Sequence, residues 1–224
     1  MKIAILTSIL GIQDSLVDPA NVYDGVDYIA FVDRKHDCKI WQQREAVNFT
    51  MHKEFAGRRN AKIYKVLPHL MLPDYDYYFW VDATHEVIQH PLEIIKNYLG
   101  EGEIGLFNHT HRNCVYKEAS EVTKINYDVK ELVDSQVAYY KQIGYPENNG
   151  LYELPVSIRK NTPSTQLINL RWWEHICKFS SRDQISLPVV LWSLGIKPTI
   201  LPGFANNGLN QNPIMPQKRW KGHR

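Results

Sequence analysis

A chain of 224 residues, 44% hydrophobic and 22% charged, has an ordinary globular composition and the length for one large domain in preference to two small ones. A net charge of only +2 excludes the basic excess that marks a dedicated nucleic-acid binder. The cysteines Cys38, Cys114 and Cys177 form no C-x-x-C pair, so a disulfide framework and a structural zinc knuckle are both unsupported and a reducing compartment is expected.

The opening run "IAILTSIL" is too short for a signal-peptide core with its cleavage site or for a membrane span. It reads as a buried strand over 2–8, and the chain is expected to be cytoplasmic with no transmembrane segment. "DYIAFVD" at 27–33 reads as a second strand, ending on Asp33. Residues 57–71 carry a helical stripe of Ile63, Val66, Leu67 and Leu70, which Pro68 ends or kinks. The stretch "DYDYYFWVDATHEV" at 74–87 is a strand of aromatics running into Asp82. A short helix follows from Pro91, then a strand, "EIGLFNH", at 103–109. Residues 115–143 are mainly helical, and "GLYELPVSIRK" is a strand interrupted at Pro155. A helix starts at Pro163, a position where proline is tolerated. Ser181 is placed to cap the last helix, with Asp183 in its first turn and Pro188 forcing a later start or a bend. Beyond Pro198 the chain is rich in Pro, Gly and Asn and ends basic. The predicted organisation is one domain over 1–200 with a tail or lid over 201–224.

Strands alternating with helices imply an α/β fold with a mostly parallel sheet, whose ligands bind at the carboxyl ends of the strands. Asp33, Asp82 and His109 all fall at such ends. Asp82 is either a turn residue or, with Thr84 two residues on, part of a shell for Mg²⁺ or Mn²⁺ completed by substrate phosphates. The second acid of an Asp-x-Asp pair is missing. Arg58, Lys62, Lys65 and His69 share one face of their helix, which is either a solvated basic edge or a clamp for a diphosphate leaving group. In "HTHRNCVYKEA", His109, His111 and Cys114 lack a fourth partner for zinc, and Arg112 and Glu118 read as hydrogen-bonding or ion-pair groups. Asp183 at a helix start is kept ionised by the dipole, as a general base or as a simple capping acid.

Three ordered stretches carry a family resemblance over about residues 44–195. They are "NAKIYKVLPHLMLPDYDYYFWVDATHEVIQHP", "HTHRNCVYKEA" and "RWWEHICKFSSRDQISLPVVL". Together they resemble the glycosyltransferase-like family of domain of unknown function 616, which includes plant mucilage-related and turgor-defect-related proteins. The resemblance implies a GT-A type, Rossmann-like nucleotide-sugar fold whose central strand ends on the metal-binding acid, here Asp82. It implies that Thr7 and Asp33 meet the nucleotide base and ribose, and that Arg59 and Lys62 face the donor. His109 and Arg112 of the second motif join the donor-binding set. Asp183 of the Arg-Asp-Gln motif is the base of an inverting reaction, or the residue that orients the donor sugar in a retaining one. Asp82 is the metal ligand that the resemblance implies; the residues themselves add Thr84, and His223 of the basic tail, which is either a further ligand or part of a disordered terminus.

The expected activity is transfer of a sugar from a nucleoside-diphosphate sugar to a hydroxyl of a glycan or polysaccharide, assisted by Mn²⁺ or Mg²⁺. A non-catalytic nucleotide-sugar or glycan-binding module is the alternative, and the missing second acid is its support. A hydrolase ranks third, since neither G-x-S-x-G nor H-E-x-x-H occurs.

Overall fold

The structure is a computed structural model that describes residues 1–11, 15–47, 56–205 and 212–217. Seven strands form one sheet: β1 (Ile3–Ile9), β2 (Val26–Val32), β3 (Gln42–Glu45), β4 (Tyr77–Val81), β5 (Ile104–Asn108), β6 (Tyr152–Lys160) and β7 (Thr199–Ile200). Their spatial order is β3-β2-β1-β4-β6-β5-β7, and only β6 runs against the others. This is the mixed, mostly parallel α/β sheet that the alternating pattern predicts. β4, the strand that leads to Asp82, is central in it.

Side chains alternate across the strands, so both faces need cover. On one face Ile3, Ile5, Tyr77, Phe79 and Val81 pack beneath α3 (Pro91–Ile94) and the π-helical turn Ile95–Leu99 that continues it. On the other, Ala4, Leu6, Tyr78 and Trp80 pack against α1 (Ala56–Val66) and α2 (Pro68–Met71). Further along that face α6 (Pro163–Lys178) and α7 (Asp183–Ser193) cover Ile104, Leu106 and Leu154. An outer pair, α4 (Val115–Lys124) and α5 (Lys130–Gln142), closes over α7 through Val115, Tyr140, Ile185 and Val189. Among the described residues no helix is long and apolar enough to cross a membrane.

The three prolines that the sequence marks as breakers behave differently. Pro68 divides the predicted 57–71 helix into α1 and α2, as its missing N–H requires. Pro155 does not interrupt β6 but sits where its pairing with β5 slips, between Gly105 opposite Ile158 and Phe107 opposite Glu153. A bulge is where a strand tolerates a residue that cannot donate to the ladder. Pro188 lies inside α7, which nevertheless starts at Asp183. Ile185 to Leu191 are all buried there, so packing overrides the local cost.

The segment after residue 200 also differs from the predicted tail. Leu201, Ala205, Ile214 and Met215 are buried in the core beneath β1 and β4. Leu201 N donates to Leu106 O at 2.8 Å and Ile88 N to Ile214 O at 2.9 Å, so the segment is held by main-chain bonds as well. Its composition reads as loop because each apolar anchor stands among Pro and Asn, without a period. Trp220 and His223 lie outside the described residues.

Candidate active site at the carboxyl end of the central strand

Asp82 follows β4 and is a turn residue in its main chain. Its N–H donates to Pro155 O at 2.7 Å and its carbonyl accepts from His85 N at 2.9 Å. Its side chain is used differently. Oδ1 accepts the Trp80 indole N–H at 2.7 Å, while Oδ2 has no hydrogen-bond partner among the described residues. The turn reading of Asp82 thus describes its backbone, and the carboxylate keeps one oxygen open among the described residues.

On one side of Asp82 lies an open-mouthed pocket holding about 520 Å³ of empty space, solvent at the mouth included. Thr7, Tyr28, Trp41, Asp82, Thr84 and His85 are among its lining residues. Tyr28 and Trp41 meet edge to face, 5.7 Å between ring centroids, and Trp41 is held by its indole N–H on Val17 O at 3.0 Å. Thr7 stands on β1, beside β4, and is 1% exposed, yet its hydroxyl finds no partner among the described residues. A buried hydroxyl left without a bond costs free energy, so such an atom marks a place where a ligand can supply the missing partner. The pocket offers aromatic edges and one orphan hydroxyl, with Asp82 among its lining residues.

At the pocket wall Thr84 Oγ1 lies 2.9 Å from His85 Nδ1, and His85 Nε2 lies 3.0 Å from Ala205 O. His85 is buried, and burial pushes its imidazole below the ordinary histidine value, so the ring is neutral at pH 7. Among the described residues no three His, Cys, Asp or Glu side chains converge on one point. The donor set for a cation is therefore partial: one carboxylate oxygen of Asp82 and the hydroxyl of Thr84. That fits Mg²⁺ or Mn²⁺, which commonly use one or two carboxylates and leave the rest of the shell to substrate phosphates and water.

On the other side of Asp82, α1 presents two lysines. Lys62 Nζ lies 2.8 Å and Lys65 Nζ 2.5 Å from Asp183 Oδ2. Lys65 also donates to Leu154 O at 2.5 Å and stands 5.7 Å above the Trp80 ring. Burial tends to raise the Asp183 carboxyl, but Lys62, Lys65 and Arg182 outweigh it and hold the group far below the usual carboxylate range. Burial dominates at Lys62 and pushes its ammonium down to about 8, against the pull of Asp183 and Asp82. A carboxylate so stabilised by two ammonium groups is a weak proton acceptor and a strong anchor.

The remaining predicted site residues are placed elsewhere. Arg59 donates to Ile176 O at 3.1 Å and Phe179 O at 3.0 Å, and lies 3.9 Å from buried Asp128. It thus satisfies the last carbonyls of α6 instead of facing the pocket. Arg58 packs on Tyr127, and His69 is buried against Asn169, so the predicted four-residue basic face narrows to Lys62 and Lys65. Asp33 caps the loop after β1 by accepting from Gly11 N at 2.5 Å, and is not among the pocket-lining residues.

His109 and Arg112 form a separate cluster around buried Glu118, with Arg112 Nε 2.7 Å and His109 Nε2 3.7 Å from Glu118 Oε2. Arg182 approaches the other oxygen at 3.9 Å. Trp41, Trp80 and His85 were not singled out from the sequence. For Trp80 a signal was present, since a residue two before Asp82 on a strand shares its face.

The family model described as TOD1/MUCI70, glycosyltransferase-like domain, matches residues 1–207. A probable hexosyltransferase MUCI70 of Arabidopsis thaliana is 32% identical over 146 residues, which is 60% of this chain and 25% of that protein. The chain thus spans about a quarter of that relative's length. Among solved structures, the apo form of mouse xyloside xylosyltransferase 1 aligns over 90% of this chain and 84% of its own, with a TM-score of 0.47 and 9% identity. An apo structure of the bifunctional glycosyltransferase WbbM aligns over 90% and 38% respectively, with a TM-score of 0.47 and 10% identity.

Proposed function

The chain belongs to the TOD1/MUCI70 glycosyltransferase-like family, and on that premise we propose that it transfers a sugar from a nucleoside-diphosphate donor to an acceptor hydroxyl at the carboxyl end of β4. The observation that carries this reading is the arrangement around Asp82. A pocket with an unpartnered hydroxyl lies on one side, and two lysines anchored by one buried carboxylate lie on the other.

The roles follow from the chemistry that each group can perform. Tyr28 and Trp41 give the pocket flat apolar walls suited to a nucleoside, and Thr7 Oγ1 is the hydrogen-bonding atom within it. Sugar transfer expels a diphosphate, so the groups that matter most are those that stabilise negative charge as it develops. Lys62 and Lys65 are the cations placed for that task. Asp183 holds them in position, and the two ammonium groups on its carboxylate favour that role over the base. A divalent cation, Mn²⁺ or Mg²⁺, held by Asp82 Oδ2 and Thr84 Oγ1 would supply further positive charge to the diphosphate. The acceptor is a glycan or other hydroxyl compound, met from the open side of the pocket.

The experiment is a panel of nucleoside-diphosphate sugars with and without Mn²⁺, read by thermal shift and by release of nucleoside diphosphate. A donor that binds raises the unfolding temperature, since it binds only the folded form. Release with a matching donor supports transfer or its hydrolytic side reaction. Binding without release in the presence of glycan acceptors favours a non-catalytic sugar-binding module. No shift with any donor overturns the reading.

A further inference from the structure

Arg182 stands one residue before α7 with its backbone pinned from both sides. Ser181 N and Oγ donate to the buried carboxylate of Asp128 at 2.7 and 2.6 Å, and Asp183 O accepts the Trp172 indole N–H at 3.2 Å. The Arg182 side chain is held by much less. It lies 4.4 Å above the Tyr127 ring, and its one ion pair among the described residues is with Glu118 Oε1 at 3.9 Å, beyond hydrogen-bond reach. Its Nε is buried and has no hydrogen-bond partner among the described residues.

The neighbouring cations are all engaged. Lys62 and Lys65 converge on Asp183, Arg59 donates to two backbone carbonyls, Arg58 donates to Tyr127 O, and Arg112 holds Glu118 Oε2 at 2.7 Å. Arg182 is the member of this cluster whose donors are not taken up among the described residues, and a buried donor without an acceptor costs free energy. It also shares the electrostatic neighbourhood of the two lysines. Against the effect of burial, Lys62, Lys65 and then Arg182 hold the Asp183 carboxyl down. The Lys62 ammonium in turn feels both Asp82 and Arg182.

We propose that Arg182 is a further donor-binding residue, whose guanidinium turns from Glu118 to grip oxygens of the diphosphate beside Lys62. The inference rests on the donor site proposed above and adds a planar fork to its two point charges. Two parallel N–H groups of an arginine match two oxygens of one phosphoryl group, which an ammonium cannot do. The move strands no buried charge, because Glu118 keeps Arg112 on its other oxygen. The Arg182 side chain is 16% exposed, so part of it already faces solvent.

Inorganic pyrophosphate is the probe, titrated by calorimetry into the full chain at fixed ionic strength. Arg182→Gln is expected to weaken it by about 10-fold or more, the effect of losing a charge-assisted hydrogen bond. Arg182→Lys keeps the charge and loses the fork, so an intermediate loss of about 3-fold is expected. In the unsubstituted protein, the Nε–H nuclear magnetic resonance of Arg182, assigned through its own backbone, should move as pyrophosphate is added. That measurement stands even where a variant fails to fold.

An arginine with only a structural role would change the urea midpoint and leave pyrophosphate affinity alone. Unchanged affinity in Arg182→Gln, affinity in Arg182→Lys equal to that of the unsubstituted protein, or a motionless Nε–H signal would each overturn the inference. Lys62 and Lys65 would still bind the donor in that case, and a sugar donor would raise the unfolding temperature of Arg182→Gln as much as that of the unsubstituted protein. If neither pyrophosphate nor any sugar donor binds the unsubstituted protein, the reading on which the inference rests falls with it.

Discussion

The two sides of the carboxyl end of β4 are built on opposite rules. Toward the pocket a polar atom is left open: Thr7 Oγ1 has no partner among the described residues, and Asp82, whose Oδ2 accepts nothing among them, stands at the pocket wall. Toward α1, two ammonium groups converge on Asp183 Oδ2 within 2.8 Å. The first side forgoes stability for binding capacity. The second is a closed network whose members depend on one another. Substitutions on the closed side should cost folding, and substitutions on the open side should cost binding.

The largest expected effect is on the closed side. Asp183→Asn leaves two buried lysines facing a neutral amide, and breaking a buried pair from one end costs about 3–5 kcal/mol. Urea unfolding should show that loss as a lower midpoint with an unchanged slope. A loss under about 1 kcal/mol would mean that the lysines swing out to solvent and that the network is not closed. If the variant folds well and binds donor but no longer transfers, the base role for Asp183 regains its place.

The next effect is a pH dependence. Lys62 faces Asp183 from α7, Lys65 from its own helix, Asp82 from the turn after β4 and Arg182 from the loop before α7. Burial lowers its folded-state value from 10.5 to about 8, while the unfolded chain keeps the ordinary one. Between those two values the unfolded state binds more protons, so this group's contribution to stability rises with pH across about 8 to 10.5. At roughly 1.4 kcal/mol per unit the rise is at most about 3.5 kcal/mol. Transfer should change in the opposite sense, falling as the pH passes about 8 and the ammonium is lost. Lys62→Met should remove the stability rise. A wild-type protein whose stability is flat over that window would show that Lys62 is not desolvated as its 14% side-chain exposure implies.

On the open side Asp82→Ala should do the reverse. It loses one side-chain hydrogen bond, from Trp80, worth about 1 kcal/mol, because the turn is held by main-chain atoms that alanine retains. Metal-dependent donor affinity should fall by about 10-fold or more when the only carboxylate of the partial shell goes. Calorimetry that finds donor affinity unchanged with Mn²⁺ present would remove Asp82 as a ligand.

The same contrast explains what was legible in the sequence. The sheet was readable because β1, β2 and β4 are runs of buried apolar residues between turn signals, and strand ends locate a site whatever the loops do. β3 was not, because "QQRE" has an exposed or half-buried side chain at every position and no apolar alternation to read. Strand-end reasoning pointed to Asp82 and Thr84, and both line the pocket. Lys62 and Lys65 were visible as one helix face, but their shared partner Asp183 lies on a helix that only the fold brings near. Arg59 was read as facing the donor, and its acceptors Ile176 O and Phe179 O are backbone carbonyls, which no side-chain pattern reveals. His85 escaped notice for the same reason: Ala205 contributes a carbonyl to it, not a side chain.

Thr7 gives the smallest effect and the sharpest separation of the two rules. Valine matches threonine in shape and keeps the β-branch that β1 favours, so Thr7→Val changes little except the hydroxyl. On the closed side, deleting a polar atom strands its partner. Here no partner exists among the described residues, and the hydroxyl is buried at 1% exposure. Removing it should therefore leave stability unchanged or raise it by about 1 kcal/mol, the sign opposite to that of most core substitutions. Donor binding should weaken at the same time, by about 5-fold if the ligand supplies the one hydrogen bond that the protein withholds. A Thr7→Val protein that is less stable by 1 kcal/mol or more would show that water or a neighbouring group satisfies this hydroxyl in solution, and the pocket would then not be held open at the expense of folding.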